Sequence, residues 1–332
     1  TGVNNTLIGG LAGDALTTGS SNTCIGYNSG STLSTGESNI AIGLNALDGE
    51  DTGSKNVAIG QSALGALNFD GNGYNVAVGH DAGKTVTTGI RNVLIGGLAG
   101  DALTTGSSNI AIGLQALSTE DAHGLNVAIG HNALASLNAG ADAYNVAIGH
   151  LAGEDLTTGV QNTLVGAQAG DSLTTGTNNV AIGFEALATE DEHSFNVAVG
   201  HRALKTQNAG ASAYNTAVGY NTGLNVTTGI FNTLIGGFAG DALTVGNSNV
   251  VLGYDALSSE QQGDRNVAVG FKALQNQNNT SSTDVYNTAV GYSAGLSVST
   301  GIYNTIMGGL AGDALTTGSR NVAIGFGSLS LE

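Results

Sequence analysis

An Asn followed four residues later by a Gly recurs at 19 places, from Asn5–Gly9 to Asn321–Gly325. The Asn-to-Asn spacings run 17, 17, 17 and 19 residues and then repeat, except that the last long spacing is 21. Four such units make a 70-residue superperiod, marked by Asn5, Asn75, Asn145 and Asn215. Self-similarity at so short a period is the signature of a stack of small units rather than of independent domains. The three residues between Asn and Gly are β-formers throughout, as in Val57-Ala58-Ile59 and Thr163-Leu164-Val165. The expected fold is therefore all-β: one continuous parallel β-solenoid over residues 1–332, of about 19 coils of 17 residues with a 70-residue four-coil superperiod. Thr1-Gly2 reads as the tail of a coil, so the chain is expected to be a segment of a longer fibre.

The anchor residues have physical reasons. Coils stack at the strand spacing of about 4.8 Å, and Asn repeated in each coil can form a ladder of side-chain amides along the stack. Gly permits a positive φ or a close approach of neighbouring backbones. The absence of Pro fits coils that must all donate ladder hydrogen bonds. Each coil also carries a large apolar plug at one of two sites. Some have Leu eight residues after the Asn (Leu47, Leu64, Leu117, Leu134). Others have Gly there and Leu or Val three residues later (Leu16, Val86, Leu103, Leu156).

Side chains alternate along a strand. The first and third strand residues, as in Val57 and Ile59, share one face and are expected to line the interior. The middle residue then points outward. It is Ala58, Ala77, Leu94, Ala111, Ala128, Ala147, Leu164, Ala181, Ala198 or Leu234 and is never polar. Such a stripe exceeds the few hundred Å² of apolar patch that monomers usually expose, so these ten residues are expected to form the interface of a homo-oligomer.

Charge narrows the partners. The chain holds 8 Lys+Arg against 25 Asp+Glu, a net charge of −17. Nucleic acid is excluded as a partner by like charge, and anionic lipid by the same argument. No apolar run reaches the ~20 residues of a membrane helix, so this segment is not expected to insert. The lone Cys24 forms no internal disulfide.

The strings Asn126-Val127-Ala128-Ile129-Gly130 and Asn321-Val322-Ala323-Ile324-Gly325 resemble the head repeats of YadA-like trimeric autotransporter adhesins, and related strings occur in phage tail fibres. The resemblance runs through all 19 coils. It implies a left-handed β-roll, three chains around an axis, a place outside the cell or on a virion, and attachment to a host or surface ligand.

Candidate chemistry is sparse. No Ser-His-Asp arrangement, phosphate loop or paired-carboxylate site stands out, so no catalytic residue, metal or cofactor is assigned and the chain is read as a non-enzyme. His80, His131, His150 and His201 directly follow the periodic Gly, and His131 and His150 are expected to stack; the same column admits Gln61, Tyr220 and Gly97, which argues against a metal site. Glu50-Asp51, Glu120-Asp121 and Glu190-Asp191-Glu192 are expected to form a solvated edge, with His123 and His193 solvated in the same loops. The longer loops end in Tyr74, Tyr144, Tyr214 and Tyr286. Loops on a rigid scaffold carry recognition, so these tyrosines are candidate ligand-binding residues for a surface glycan or a host matrix protein. Interrupted Thr-Thr-Gly rows, as at Thr104-Thr105-Gly106, raise ice binding as a further alternative. Three readings follow: an extracellular adhesive fibre assembled as a homotrimer, a phage tail-fibre shaft, or a glycan- or ice-binding solenoid.

Overall fold

A computed structural model describes residues 2–330; Thr1, read above as part of a coil tail, lies outside them. The chain is a fully parallel β-solenoid of about 19 turns. It divides into two units, residues 1–162 and 163–332. Among the described residues the first unit contains nine three-residue strands, from Thr6–Ile8 to Val146–Ile148. The second contains ten, from Thr163–Val165 to Val322–Ile324. Each is the segment between a periodic Asn and its Gly. Neighbouring strands within a unit pair in register, as Val57↔Val76, Ala58↔Ala77 and Ile59↔Val78 do. A two-residue pairing of Gly263–Asp264 with Thr283–Asp284 extends the stack at the longest loop.

The Asn side chain fastens each coil in two directions. In Asn22, Oδ1 accepts from the main-chain N–H of Asn39 in the next coil at 2.9 Å. Its Nδ2 donates to the Gly36 carbonyl near the end of its own coil at 2.8 Å. Asn92 does the same toward Asn109 and Gly106. Direct amide-to-amide bonds join only some steps, such as Asn249 to Asn232 at 3.1 Å and Asn321 to Asn304 at 3.0 Å. The ladder expected from the repeat is therefore present, but its main bonds run from side chain to backbone. Only a primary amide supplies both an acceptor and a donor of this kind.

The periodic Gly adopts φ between +113° and +146° in every coil. A Cβ on Gly60 would lie 2.2 Å from the Gly79 carbonyl oxygen, so both conformation and spacing require glycine there.

Strand orientation is opposite to that expected from the sequence. The middle residues Ala58, Ala77, Leu94, Ala111, Ala128, Ala147, Leu164, Ala181, Ala198 and Leu234 are all 0% exposed within the single chain. They pack into the coil interior and cannot form an interface between copies. The first and third residues face outward, half-buried or exposed, as Ile40, Ile95, Ile148 and Leu252 show. The physical reason is parity: the buried Asn lies two residues before the middle residue and the close-packed Gly two residues after it, so all three point inward.

Both plug sites are filled from within, but not always one per coil as the repeat suggested: Leu64 with Leu67, and Leu134 with Leu137, fill both sites of a single coil. Leu47, Leu64, Leu117 and Leu134 are fully buried, as are Val86, Leu103 and Leu156; Leu16, in the first coil, is half-buried. Middle residue and plug compensate in volume. Where Leu occupies the earlier plug site the middle residue is small, Ala58 with Leu64 and Ala128 with Leu134, except in the coil that pairs Val251 with Leu257. Where the middle residue is Leu94 or Leu164, the earlier site is Gly100 or Gly170. A Cβ on Gly100 would meet both Leu94 and Leu103 at 2.8 Å.

Candidate functional site: the outward strand face

Four columns make up the outward face. They are the residue before each Asn, the first and third strand residues, and the residue after each Gly. Consecutive members share parity and so point the same way. The inner pair is Val, Ile or Thr at the first position and Ile, Val, Leu or Met at the third. The outer pair carries rings. The post-Gly column holds Tyr27, Leu44, Leu114, Phe184, Tyr220, Tyr254, Phe271 and Tyr292, all exposed. The pre-Asn column holds Tyr74, Tyr144, Phe195, Tyr214, Phe231, Tyr286 and Tyr303, also exposed.

These rings form ladders. In the second unit Phe184, His201, Tyr220, Phe238, Tyr254, Phe271 and Tyr292 make successive contacts with centroids 5.0–5.9 Å apart. Phe238 joins from one residue further along its coil, filling the gap at Gly237. The pre-Asn column has a shorter ladder, Phe195–Tyr214–Phe231, at 5.0 and 5.8 Å. Tyr286 and Tyr303 stack at 5.8 Å, with Arg265 over the first and Arg320 over the second. The spacings follow from coil stacking at about 4.8 Å.

This arrangement constrains the tyrosines singled out from the sequence. Tyr74, Tyr144, Tyr214 and Tyr286 are 46–55% exposed. Their backbones take φ of 51–53°, the left-handed region. Every described pre-Asn residue shares that conformation, including Lys55, Arg91 and Phe231. The sequence carried little sign of it, because the column accepts many residue types. Tyr214 has its ring between Phe195 and Phe231, and Tyr286 lies against Arg265 and Tyr303. Lys55 sits over Tyr74. At these three positions neighbours occupy ring faces that a sugar would need for stacking, and at Tyr74 the hydroxyl also accepts from Lys55 Nζ at 3.3 Å.

The charge pattern sharpens the face further. None of the chain's 25 Asp and Glu residues falls in any of the four columns, whereas Lys55, Arg91, Arg265 and Arg320 do. The acids lie in the turns and the far part of each coil.

Those acids differ from the solvated edge expected above. Glu50, Glu120 and Glu190 are fully buried, as is their fourth equivalent, Glu260. They occupy the same place in the coil as the late plug, so their carboxylates sit inside and bind turn amides. Glu50 accepts from Gly53 N–H at 2.7 Å and Phe69 N–H at 3.2 Å. Burial raises its pKa, with the amide bonds opposing. Glu260 accepts from the amides of Gln261, Gln262, Gly263 and Asn279 and from the side chains of Gln277 and Asn279. His123 and His193 are not freely solvated either: side-chain exposures are 26% and 16%, and each Nδ1 contacts the buried Glu120 or Glu190. Burial raises the Glu190 pKa, and His193 opposes the shift.

Two clusters, Glu120–Asp121–His123 and Glu190–Asp191–His193, bring three potential metal-ligand atoms within 4.8 Å of one another. Their Glu and His atoms already pair internally. His131 and His150 stack as expected, at 5.3 Å and 13°. Cys24 is buried, and burial pushes its thiol pKa up to about 11.

No family model matches the chain, and no curated protein matches it.

Proposed function

We propose that the chain is a segment of an extracellular structural or adhesive fibre in which several copies pack together through the outward strand face. The observation that carries this reading is the coincidence of exposed apolar columns with a complete absence of acid. A chain of net charge −17 repels its own copies over most of its surface. The four-column face has no such repulsion, and it offers β-branched and aromatic side chains for burial. A copy of the same chain matches its coil spacing. The homotrimer implied by the resemblance to YadA-like heads is the arrangement we favour, with the scaffold non-catalytic and the 70-residue loops displayed for attachment. A virion fibre shaft would use the same face.

Light scattering on the chain and on a Val127→Lys/Ile129→Lys variant tests the reading. The wild type should be a defined oligomer and the variant a folded monomer by circular dichroism. A wild type that stays monomeric at micromolar concentration would overturn it.

A further inference from the structure

Within the chain the 70-residue superperiod sets the buried Glu50, Glu120 and Glu260 against the longer loop of the next coil; it also has a role between copies. The pre-Asn and post-Gly columns lie at opposite ends of the strand, on the two edges of the outward face. Among the described residues no ring contact or cation–π pair joins one column to the other; every such pair stays within a column or involves its immediate neighbours. Their residue sizes are nevertheless matched coil by coil. Arg91, Gln161, Phe231 and Tyr303 precede an Asn in coils where the post-Gly residue is Gly97, Ala167, Gly237 and Gly309. The inverse holds in the following coils, where Ser108, Asn178 and Ser248 accompany Leu114, Phe184 and Tyr254.

At Gly237 the ring of Phe238 takes the vacant place in the column, but Gly97 and Gly309 have no such ring at the following residue. Gly97, Gly237 and Gly309 do not have positive φ. A Cβ on each would lie 3.4–3.5 Å from the next coil's side chain, close to ordinary contact. The same column accepts Phe at Phe184 and Phe271.

Resting on the assembly reading above, we infer that the pre-Asn edge of one copy packs against the post-Gly edge of the next at the same level, and that the superperiod fixes their axial register. Copies related by rotation about an axis parallel to the stack bring these two edges together. An antiparallel two-fold pairing would instead set each column against itself. In register, Arg91 and Tyr303 find the space left at Gly97 and Gly309, and Gln161 meets the small Ala167, whereas at Gly237 the ring of Phe238 already takes the vacant place opposite Phe231. A slip of one coil in either direction sets each of them against a large residue, such as His80 or Leu114 for Arg91 and Tyr292 or Phe326 for Tyr303, and Arg91 and Gln161 meet large residues at slips of two and three coils as well. Such overpacking is unfavourable. A uniform 17-residue repeat would lack this discrimination, since flat repetitive strand surfaces specify register weakly. The other two coils of each superperiod have large residues at both edges, Tyr144 with His150 and Leu125 with His131, and do not discriminate. The first two coils and the last depart from the rule, with Asn4 and Gly10, Ser21 and Tyr27, and Arg320 and Phe326 at their edges.

Oxidative cross-linking with light scattering tests the register. An Arg91→Cys/Gly97→Cys double variant should form covalent multimers on a non-reducing gel, because an in-register pair can meet the ~6 Å Cα spacing of a disulfide. Cys24 is fully buried and will not compete. Arg91→Cys alone and Arg91→Cys/Leu114→Cys, a one-coil slip, should not cross-link. A Gly97→Phe/Gly309→Phe variant should keep its circular dichroism and lose at least tenfold in association. An oligomer that cross-links through either control, or not at all in the matched pair, overturns the register while leaving assembly intact. A monomer by light scattering overturns the assembly reading itself.

Discussion

At the residue scale, the periodic Asn is the most exacting position. Its side chain closes its own coil through Nδ2 and ties the next through Oδ1, and both bonds are buried. Asn92→Asp keeps the size and the acceptor but points a carboxylate oxygen at the Gly106 carbonyl. Loss of the donor and burial of charge should cost about 3 kcal/mol or more at neutral pH, read from the urea midpoint. Asp241 gives a pH-dependent counterpart. Burial, with Asp255 adding repulsion, pushes its pKa up from 3.8 to about 6. A raised carboxylate stabilises the fold while protonated: the contribution is complete below the unfolded value and is lost as pH rises through about 6. Asp241→Asn should therefore match wild type at pH 4 and exceed it at pH 8, by on the order of 1 kcal/mol after solvent screening. An equal difference at both pH values would contradict this account.

At the scale of the coil, packing is a trade between three interior sites. Coil 92–108 fills them with Leu94, Gly100 and Leu103, whereas coil 126–144 uses Ala128, Leu134 and Leu137. Ala128→Leu alone should overpack the interior and cost about 1–3 kcal/mol. Adding Leu134→Gly reproduces the other solution and should recover most of that loss in a double-mutant cycle. Simple additivity of the two penalties would argue against the compensation. The coil was legible in the sequence because the Asn, Gly and plug positions keep strict register. Which strand face is inward was not read correctly, because both faces are apolar and alternation identifies two faces without ranking them. The ranking was available in the parity of Asn and Gly with the middle residue, and in its small size at most coils. The burial of Glu50 and its equivalents was hidden for a related reason: they replace Leu or Val at the late plug site, a substitution visible only when all coils are aligned on the plug rather than on the loop's charge. The left-handed backbone at Tyr74, Tyr144, Tyr214 and Tyr286 was not legible, since Asn and Gly, the usual residues for that conformation, are scarce in that column.

At the scale of the whole molecule, acidity and apolarity are segregated. The turns and far edges carry the charge, and the outward strand face carries the rings and β-branched residues. In each unit the outward strand face, free of acid, is where copies can approach without the like-charge repulsion of the turns. Association should therefore be strengthened by salt, through screening of the acidic remainder and through stronger apolar burial. A basic or charge-paired interface would weaken instead. Sedimentation at low and high ionic strength separates these outcomes. The same segregation predicts that Ala128→Asp damages the coil interior, whereas Ile129→Asp spares the fold and blocks assembly.

Assembly through the outward strand face is tested most directly by the solution mass of the chain beside that of Val127→Lys/Ile129→Lys. The wild type should have a discrete multiple of the 32.7 kDa chain mass, and the variant should be a folded 32.7 kDa species. A wild type that remains at the mass of one chain at micromolar concentration, or a variant that assembles as the wild type does, would contradict it.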